Sequence, residues 1–188
     1  MGKSSSGKDS MYKEILKAAP HLKSVVSYTT RPIRQGETDG VEYFFVGDDE
    51  LSKMKREGKV IEERAYNTVH GVWKYFTVDD QQIDLNHHDY LLMGTPASYK
   101  GVRAFYGEER LVPIYLHVDD GIRLERALRR EQSQGNPRYE EMCRRYLADH
   151  EDFSEKNLRE AKITREFNNE DFQECLKEIV KYIEKLTS

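Results

Sequence analysis

Residues 2–10 read Gly2-Lys3-Ser4-Ser5-Ser6-Gly7-Lys8-Asp9-Ser10, the pattern G-x4-G-K with an aspartate where serine or threonine is usual. Glycines at its ends let backbone N–H groups turn inward around an anion, and a helix starting directly behind adds its positive end. Residues 8–18 supply such a helix, short and amphipathic. Gly2, Ser4, Ser5, Ser6, Gly7 and Lys8 are therefore the candidate phosphate cradle, with Lys8 reaching the outer phosphates of a nucleotide. The metal end stays open: either Asp9 offers Mg²⁺ a carboxylate or Ser10 offers a hydroxyl. The competing reading is a flexible Gly/Ser-rich tail, against which the helix at residue 8 argues. Alone, the loop says only that phosphates bind.

A phosphate loop ordinarily follows a buried strand, and here it begins at residue 2. Either the fold lacks its first core strand, absent or truncated, or the sequence as read starts late. The second is the expectation, because losing a central strand exposes two sheet edges. β-branched and aromatic enrichment predicts strands at 24–29, 41–46, 60–66, 71–77, 90–95, 111–118 and 163–168. Helical patterns fall at 8–18, 48–57, 96–106, 119–132, 137–156 and 171–186. Strands alternating with helices predict an α/β fold with a mostly parallel sheet flanked by helices. Residues 31–77 are the exception, since strands cluster there with little helix between them, which predicts an inserted antiparallel subdomain.

The 188 residues suit one domain, and 37% hydrophobic with 34% charged content suits a well-solvated one. No apolar run approaches the ~20 residues of a bilayer span, and residues 1–7 lack the apolar stretch of a signal peptide. Cys143 and Cys175 stand far apart without zinc-ligand spacing. A cytoplasmic protein, monomeric or homodimeric, is the expectation. The net charge of −4 argues against general nucleic-acid binding, and no membrane partner is expected. Within this acidic chain, Arg123, Arg126, Arg129, Arg130, Arg138, Arg144 and Arg145 form a cluster. It reads either as a solvated helix face with i,i+4 pairs or as a phosphate-binding set.

Ser27-Tyr28-Thr29-Thr30-Arg31-Pro32-Ile33-Arg34-Gln35-Gly36-Glu37 is a sharper signal. Two arginines three apart follow a strand, Pro32 stiffens the loop, and Gly40-Val41-Glu42-Tyr43-Phe44-Phe45-Val46 brings a phenol downstream. Two guanidinium groups and a hydroxyl can enclose one phosphate with directed donors. Residues 27–46 resemble the GMP-binding signature of the guanylate kinase family almost position for position. The resemblance implies a P-loop kinase fold with a GMP-binding subdomain at 31–77, a helical lid at 119–156, and a core at 1–30, 78–118 and 157–188. It implies Mg²⁺-dependent transfer of a phosphoryl group from ATP to GMP or dGMP.

Residue by residue, the resemblance puts Ser27, Arg31, Arg34 and Tyr43 in the GMP site. Glu62 matches the family's glutamate facing guanine N1 and N2. Gly71-Val72-Trp73-Lys74-Tyr75-Phe76-Thr77 is similar to the family's G-N-Y-Y-G-[ST] strand with one extra residue, which puts Tyr75 on the phosphate and Thr77 near the base, in a register open by one position. Met142-Cys143-Arg144-Arg145-Tyr146 resembles the I-x-R-R-M helix, making Arg145 the arginine that meets both substrates' phosphates. Arg130 matches the first lid arginine and Asn168 a residue near the ATP base. With Lys8, Arg130 and Arg145 form the implied catalytic set, and Asp9 and Ser10 complete the ATP and Mg²⁺ end.

Three departures stand out. The second lid arginine falls on Gln134, for which Arg129 or Arg138 could stand in; the family's second base-contacting acid falls near Thr95; and Asp9 alters the metal end. The acceptor is itself a phosphate, so no catalytic histidine is expected, and closure of the 31–77 subdomain and the lid is expected to exclude water. Two alternatives remain: a non-catalytic guanylate-kinase-like module binding phosphoproteins, and a kinase for another nucleoside monophosphate.

Overall fold

The computed structural model describes residues 1–34, 36–68 and 70–187. The chain divides into two compact units, one of Met1–His21, Met93–Ala97 and Val112–Ser188, the other of Leu22–Leu92 and Ser98–Leu111.

In the first unit residues 2–7 lead into α1 (Lys8–Ala18). Strand β7 (Tyr115–His117) pairs in parallel with β8 (Glu166–Asn168). Met1 and Gly2 hold the strand position beside β7: Leu116 N–H bonds Met1 C=O at 2.9 Å, and Gly2 forms a parallel bridge with Leu116. Helices α4 (Asp120–Gln132), α5 (Tyr139–Asp152), α6 (Glu155–Glu160) and α7 (Phe172–Glu184) complete the unit. α1 packs on α7, and α4 on α5. Met11, Ile15, Leu116, Val118, Phe167, Cys175 and Ile179 fill the core, where burial pushes the Cys175 thiol up to about 11 and keeps it inert.

In the second unit β1 (Lys23–Ser24) pairs in parallel with β6 (Tyr90–Leu91). A four-stranded sheet runs β3 (Phe44–Phe45), β2 (Tyr28–Thr29), β5 (Gly71–Val78), β4 (Val60–Thr68), with the β4–β5 and β2–β5 pairs antiparallel. Tyr28, Phe76, Val78 and Leu51 of α2 (Asp48–Arg56) form its core, with Phe44, Val46, Met54 and Val60 packed against them. Helix α3 (Pro96–Tyr106) belongs to this unit from Ser98 onward.

α1 and α3 keep their predicted bounds, and Asp119 and Asp171 cap α4 and α7 by accepting from the first-turn N–H groups. Several strands are shorter than the sequence suggests. The run 24–29 splits between two sheets because Val26 exchanges both backbone bonds with the Gln82 amide instead of a strand. In 41–46 only Phe44 and Phe45 ladder, since Asp39 and Tyr43 close a turn ahead of them. Strand 111–118 begins only at Tyr115, beyond Pro113, which has no N–H to donate. Of 90–95 only Tyr90 and Leu91 pair, and 163–168 pairs from Glu166. The predicted helix 137–156 is two helices, because Ser154 caps α6 and breaks the run.

Candidate functional site

The sites are two groups of residues, one in each unit. The first lies on the four-stranded sheet. Side chains alternate between faces along a strand, and opposite partners share a face. Tyr28, Phe44, Phe76 and Val78 take the α2 face. The other face collects Thr29 and Phe45, Tyr75 opposite both Thr29 and Arg64, Thr77 opposite Glu62, and Tyr66 opposite Trp73. A bulge between Val60 and Glu62 makes this possible. Val60 pairs with Val78 on the apolar face, yet Glu62, two residues on, pairs with Thr77 on the polar one.

At one end of that face stand Arg31, Tyr43 and Tyr75. Arg31 is 3% exposed. Its guanidinium lies 5.1 Å from the centroids of both Tyr43 and Phe45 and forks onto Glu37 at 2.7 and 2.6 Å. Hydrogen bonding to Arg31 holds the Glu37 carboxyl below its usual range. The Tyr43 and Tyr75 rings meet edge to face at 5.6 Å, and Tyr75 meets Tyr66 at 5.8 Å. Arg34 is exposed on the loop, 5.9 Å above the Trp73 ring.

At the other end Glu62 Oε1 accepts from Thr77 Oγ1 at 2.7 Å and from Arg64 Nη2 at 3.3 Å. Gly101 of α3 presses on this glutamate: a methyl group there would lie 2.5 Å from Glu62 Cβ. Ser27, also in this unit, is buried, and its C=O accepts from Phe44 N–H at 2.9 Å. Thr95 lies outside this unit and brings no carboxylate to it.

The second group surrounds residues 2–10. Ser5 (φ 61°) and Gly7 (φ 84°) adopt left-handed backbone, and Gly7 caps α1 without any side chain, so the first-turn N–H groups keep their positive end for an anion. A side chain at 7 would also lie 2.8 Å from Asn169 Nδ2. The Ser5 and Ser6 hydroxyls are buried without a hydrogen-bond partner, donors that an anion could take up. Lys8 Nζ lies 3.8 Å from the exposed Asp9 carboxylate, and Ser10 is exposed. A carboxylate and a hydroxyl in one helical turn are the hard oxygens Mg²⁺ takes, and they fit an ion held mainly by phosphates and water. Among the described residues no cluster could hold a metal by itself.

Residues distant in sequence fix the loop. Asn169, 2% exposed, donates from Nδ2 to Ser6 C=O at 2.7 Å. Asp149 accepts from Ser4 N–H at 2.8 Å. Arg123, 1% exposed, donates to Ser4 C=O at 2.9 Å and to Asp120 at 2.6 Å, and stacks on Tyr146. Sequence reasoning missed these three residues. Only the arginine cluster hinted at Arg123, and the sequence reading named Asn168 without its neighbour Asn169. Asn168 is exposed and accepts from Glu170 N–H at 3.1 Å. Arg130 is exposed in the last turn of α4. Arg145 donates from Nε to Glu141 at 2.8 Å, while Arg144 forks onto the same carboxylate at 2.7 and 2.8 Å. Hydrogen bonding to Arg144, more than to Arg145, lowers the Glu141 carboxyl to about 2.

The family model for guanylate kinase matches residues 1–186. This chain belongs to the guanylate kinase family. It is 46% identical over 61 residues to the guanylate kinase of Thermobifida fusca, covering 32% of this chain and 31% of that one. To the guanylate kinase of Tropheryma whipplei it is 36% identical over 86 residues, 46% of this chain and 43% of the relative. For the guanylate kinase of Legionella pneumophila the figures are 38% over 69 residues, 36% and 33%. The matched stretches thus span less than half the length of these guanylate kinases. The crystal structure of guanylate kinase from Anaplasma phagocytophilum shares the fold at a TM-score of 0.64 and 20% identity, covering 98% of this chain and 82% of that one. Family membership and fold agree with the α/β, P-loop kinase architecture. No helix among the described residues is long and apolar enough to cross a membrane.

Proposed function

We propose that this chain transfers the γ-phosphoryl group of ATP to GMP, giving ADP and GDP. The observation that carries the reading is the polar face of the four-stranded sheet, where buried Arg31, Tyr43 and Tyr75 stand at one end and Glu62 with Thr77 at the other. A nucleoside monophosphate has that same polarity, a dianion at one end and a hydrogen-bonding base at the other. Arg31 and Arg34 bind the GMP phosphate with the Tyr43 and Tyr75 hydroxyls, and Glu62 and Thr77 face the base. ATP places its phosphates in the 2–10 loop with Lys8 as counter-charge. Asp9 or Ser10 would help to hold Mg²⁺, which would supply charge neutralisation at the phosphates.

The GMP phosphate is the nucleophile and needs no general base, so the protein's work is alignment and charge neutralisation. Lys8, Arg130 and Arg145 supply that charge. Arg145 suits the role because Glu141 holds it through Nε, and among the described residues its terminal nitrogens make no other bond. An ADP-release assay over GMP, dGMP, AMP, CMP and UMP tests the proposal. GMP-dependent ADP release supports it; release equal to the ATP-only background overturns it.

A further inference from the structure

The two arginines of the 31–37 loop are held in different ways. Arg31 is buried between the Tyr43 and Phe45 rings with its fork on Glu37. Arg34 is exposed, and Glu37 ties its backbone instead: Oε2 accepts from Arg34 N–H at 2.8 Å, and Glu37 N–H donates to Arg34 C=O at 3.1 Å. A long, flexible stem separates that anchored backbone from the charge. Such a side chain loses rotamer freedom when it clasps a ligand, and the loss weakens binding. The Arg34 guanidinium carbon, however, lies over the Trp73 ring, 5.9 Å from its centroid, within the range of a cation–π attraction.

The sheet fixes the indole. Trp73 is half-buried, stands opposite Tyr66, and lies two residues from Tyr75 on the same face of β5. The His70 ring stacks against it at 5.8 Å with an interplanar angle of 18°. Thr68 holds the turn that carries His70, since its Oγ1 accepts from His70 N–H at 3.1 Å and donates to Gly71 C=O at 2.8 Å. Among aromatic side chains indole attracts a cation most strongly. A guanidinium stacks through its flat face, whereas its N–H groups point outward in its plane, so ring and phosphate engage different parts of it.

We infer that Trp73 is a positioning residue for the acceptor phosphate: its indole keeps the Arg34 guanidinium near Tyr75 before the monophosphate arrives, which lowers the ordering cost of binding. The inference rests on the GMP-site reading above, and it needs no contact between Trp73 and GMP.

Calorimetric Kd values for GMP and ATP test it on the full chain, for wild type, Trp73→Leu, Trp73→Phe, Arg34→Ala and the Trp73→Leu/Arg34→Ala double variant. Trp73→Leu should weaken GMP about threefold, the loss expected of one exposed cation–π contact, with ATP unchanged. Trp73→Phe, which keeps a ring under the cation, should recover part of that loss. Arg34→Ala should weaken GMP by at least about tenfold, and Trp73→Leu should then add nothing, because the two act as one unit. A Trp73→Leu loss that persists in full without Arg34 would overturn the inference. So would wild-type GMP affinity in Trp73→Leu, a matching loss of ATP affinity, or a Phe variant as damaged as the Leu one. If Trp73→Leu does not fold, the fluorescence of Trp73, the single tryptophan of the chain, decides. Saturating GMP should change its emission in wild type, as the cation over the ring meets a dianion, and should not in Arg34→Ala; an equal change in both overturns the inference. Wild-type GMP affinity in Arg34→Ala sinks the GMP-site reading at Arg34 as well, whereas an Arg34→Ala loss uncoupled from Trp73 sinks this inference alone.

Discussion

In the four-stranded sheet the candidate chemistry sits on side chains, and the backbone only sorts them between faces. In the phosphate loop it sits on backbone N–H groups, and side chains from elsewhere hold the backbone still. The sheet needs one local device, the bulge before Glu62, to put an apolar valine and an acidic glutamate two residues apart on opposite faces. The loop needs three remote ones: Asn169 on Ser6, Asp149 on Ser4 N–H, and Arg123 on Ser4 C=O. A side-chain site is thus encoded where its residues stand, while a backbone site is encoded in part by residues over a hundred positions away.

The largest effect should come from the sheet's apolar face. Phe76 is fully buried against Tyr28, 5.5 Å between ring centroids. Phe76→Ala should destabilise the fold by about 3–5 kcal/mol, read by denaturant titration. A loss below about 1 kcal/mol would mean that α2 does not depend on this face.

Next is the loop's buried arginine. Arg123→Met strands Ser4 C=O and leaves Asp120 with Lys3 as its remaining partner, and should cost about 2–3 kcal/mol of stability. It should also weaken ATP binding while leaving GMP binding unchanged. Equal weakening of both nucleotides would erase the distinction between the two regions.

Acid tests the carboxylates that hold arginines in both units. Glu141 is lowered to about 2 from 4.5, and Glu37 is lowered as well. A depressed folded-state value gives stability that is fully present above the unfolded value and lost as pH falls through the folded one. Stability should therefore decline from about pH 4.5 toward 2, by on the order of 2 kcal/mol for Glu141. Glu141→Gln should flatten that part of the profile, and an unchanged slope would remove Glu141 from the account.

The smallest effect belongs to Asn169→Ala, which leaves the buried Ser6 C=O without its donor. About 1–2 kcal/mol of stability should be lost, with weaker ATP binding. Asn168→Ala, on an exposed neighbour, should change neither; the reverse ranking would reassign the two asparagines.

Much of this was legible in the sequence, and unevenly so. The bounds of α1 and α3 and the caps at Asp119 and Asp171 follow from local rules, because a helix carries its own hydrogen bonds and its start signals lie within one turn. Arg31 and Tyr43 stand in the dense signature of residues 27–46, and Glu62, Tyr75 and Thr77 could be named only through the family resemblance; Glu62 pairs with Thr77, and Tyr75 with Thr29 and Arg64, on one sheet. Strand lengths at 24–29 and 111–118 were not legible, since a ladder ends where a partner ends: at the Gln82 amide in one case, at Pro113 in the other. The Arg64–Glu62 ion pair at 3.0 Å was not legible, because it depends on the bulge that sets the face of Glu62. Arg123 and Asp149 were hidden for the loop's reason, as their partners are main-chain atoms that no residue type announces.

The division of labour itself is tested most directly by equilibrium dissociation constants for ATP and GMP measured side by side in Arg34→Ala and Lys8→Ala. The account predicts a crossed result: Arg34→Ala weakens GMP by at least about tenfold with ATP unchanged, and Lys8→Ala weakens ATP by a similar factor with GMP unchanged. If each substitution weakens both nucleotides alike, the acceptor phosphate is not on the sheet and the donor phosphates are not in the loop.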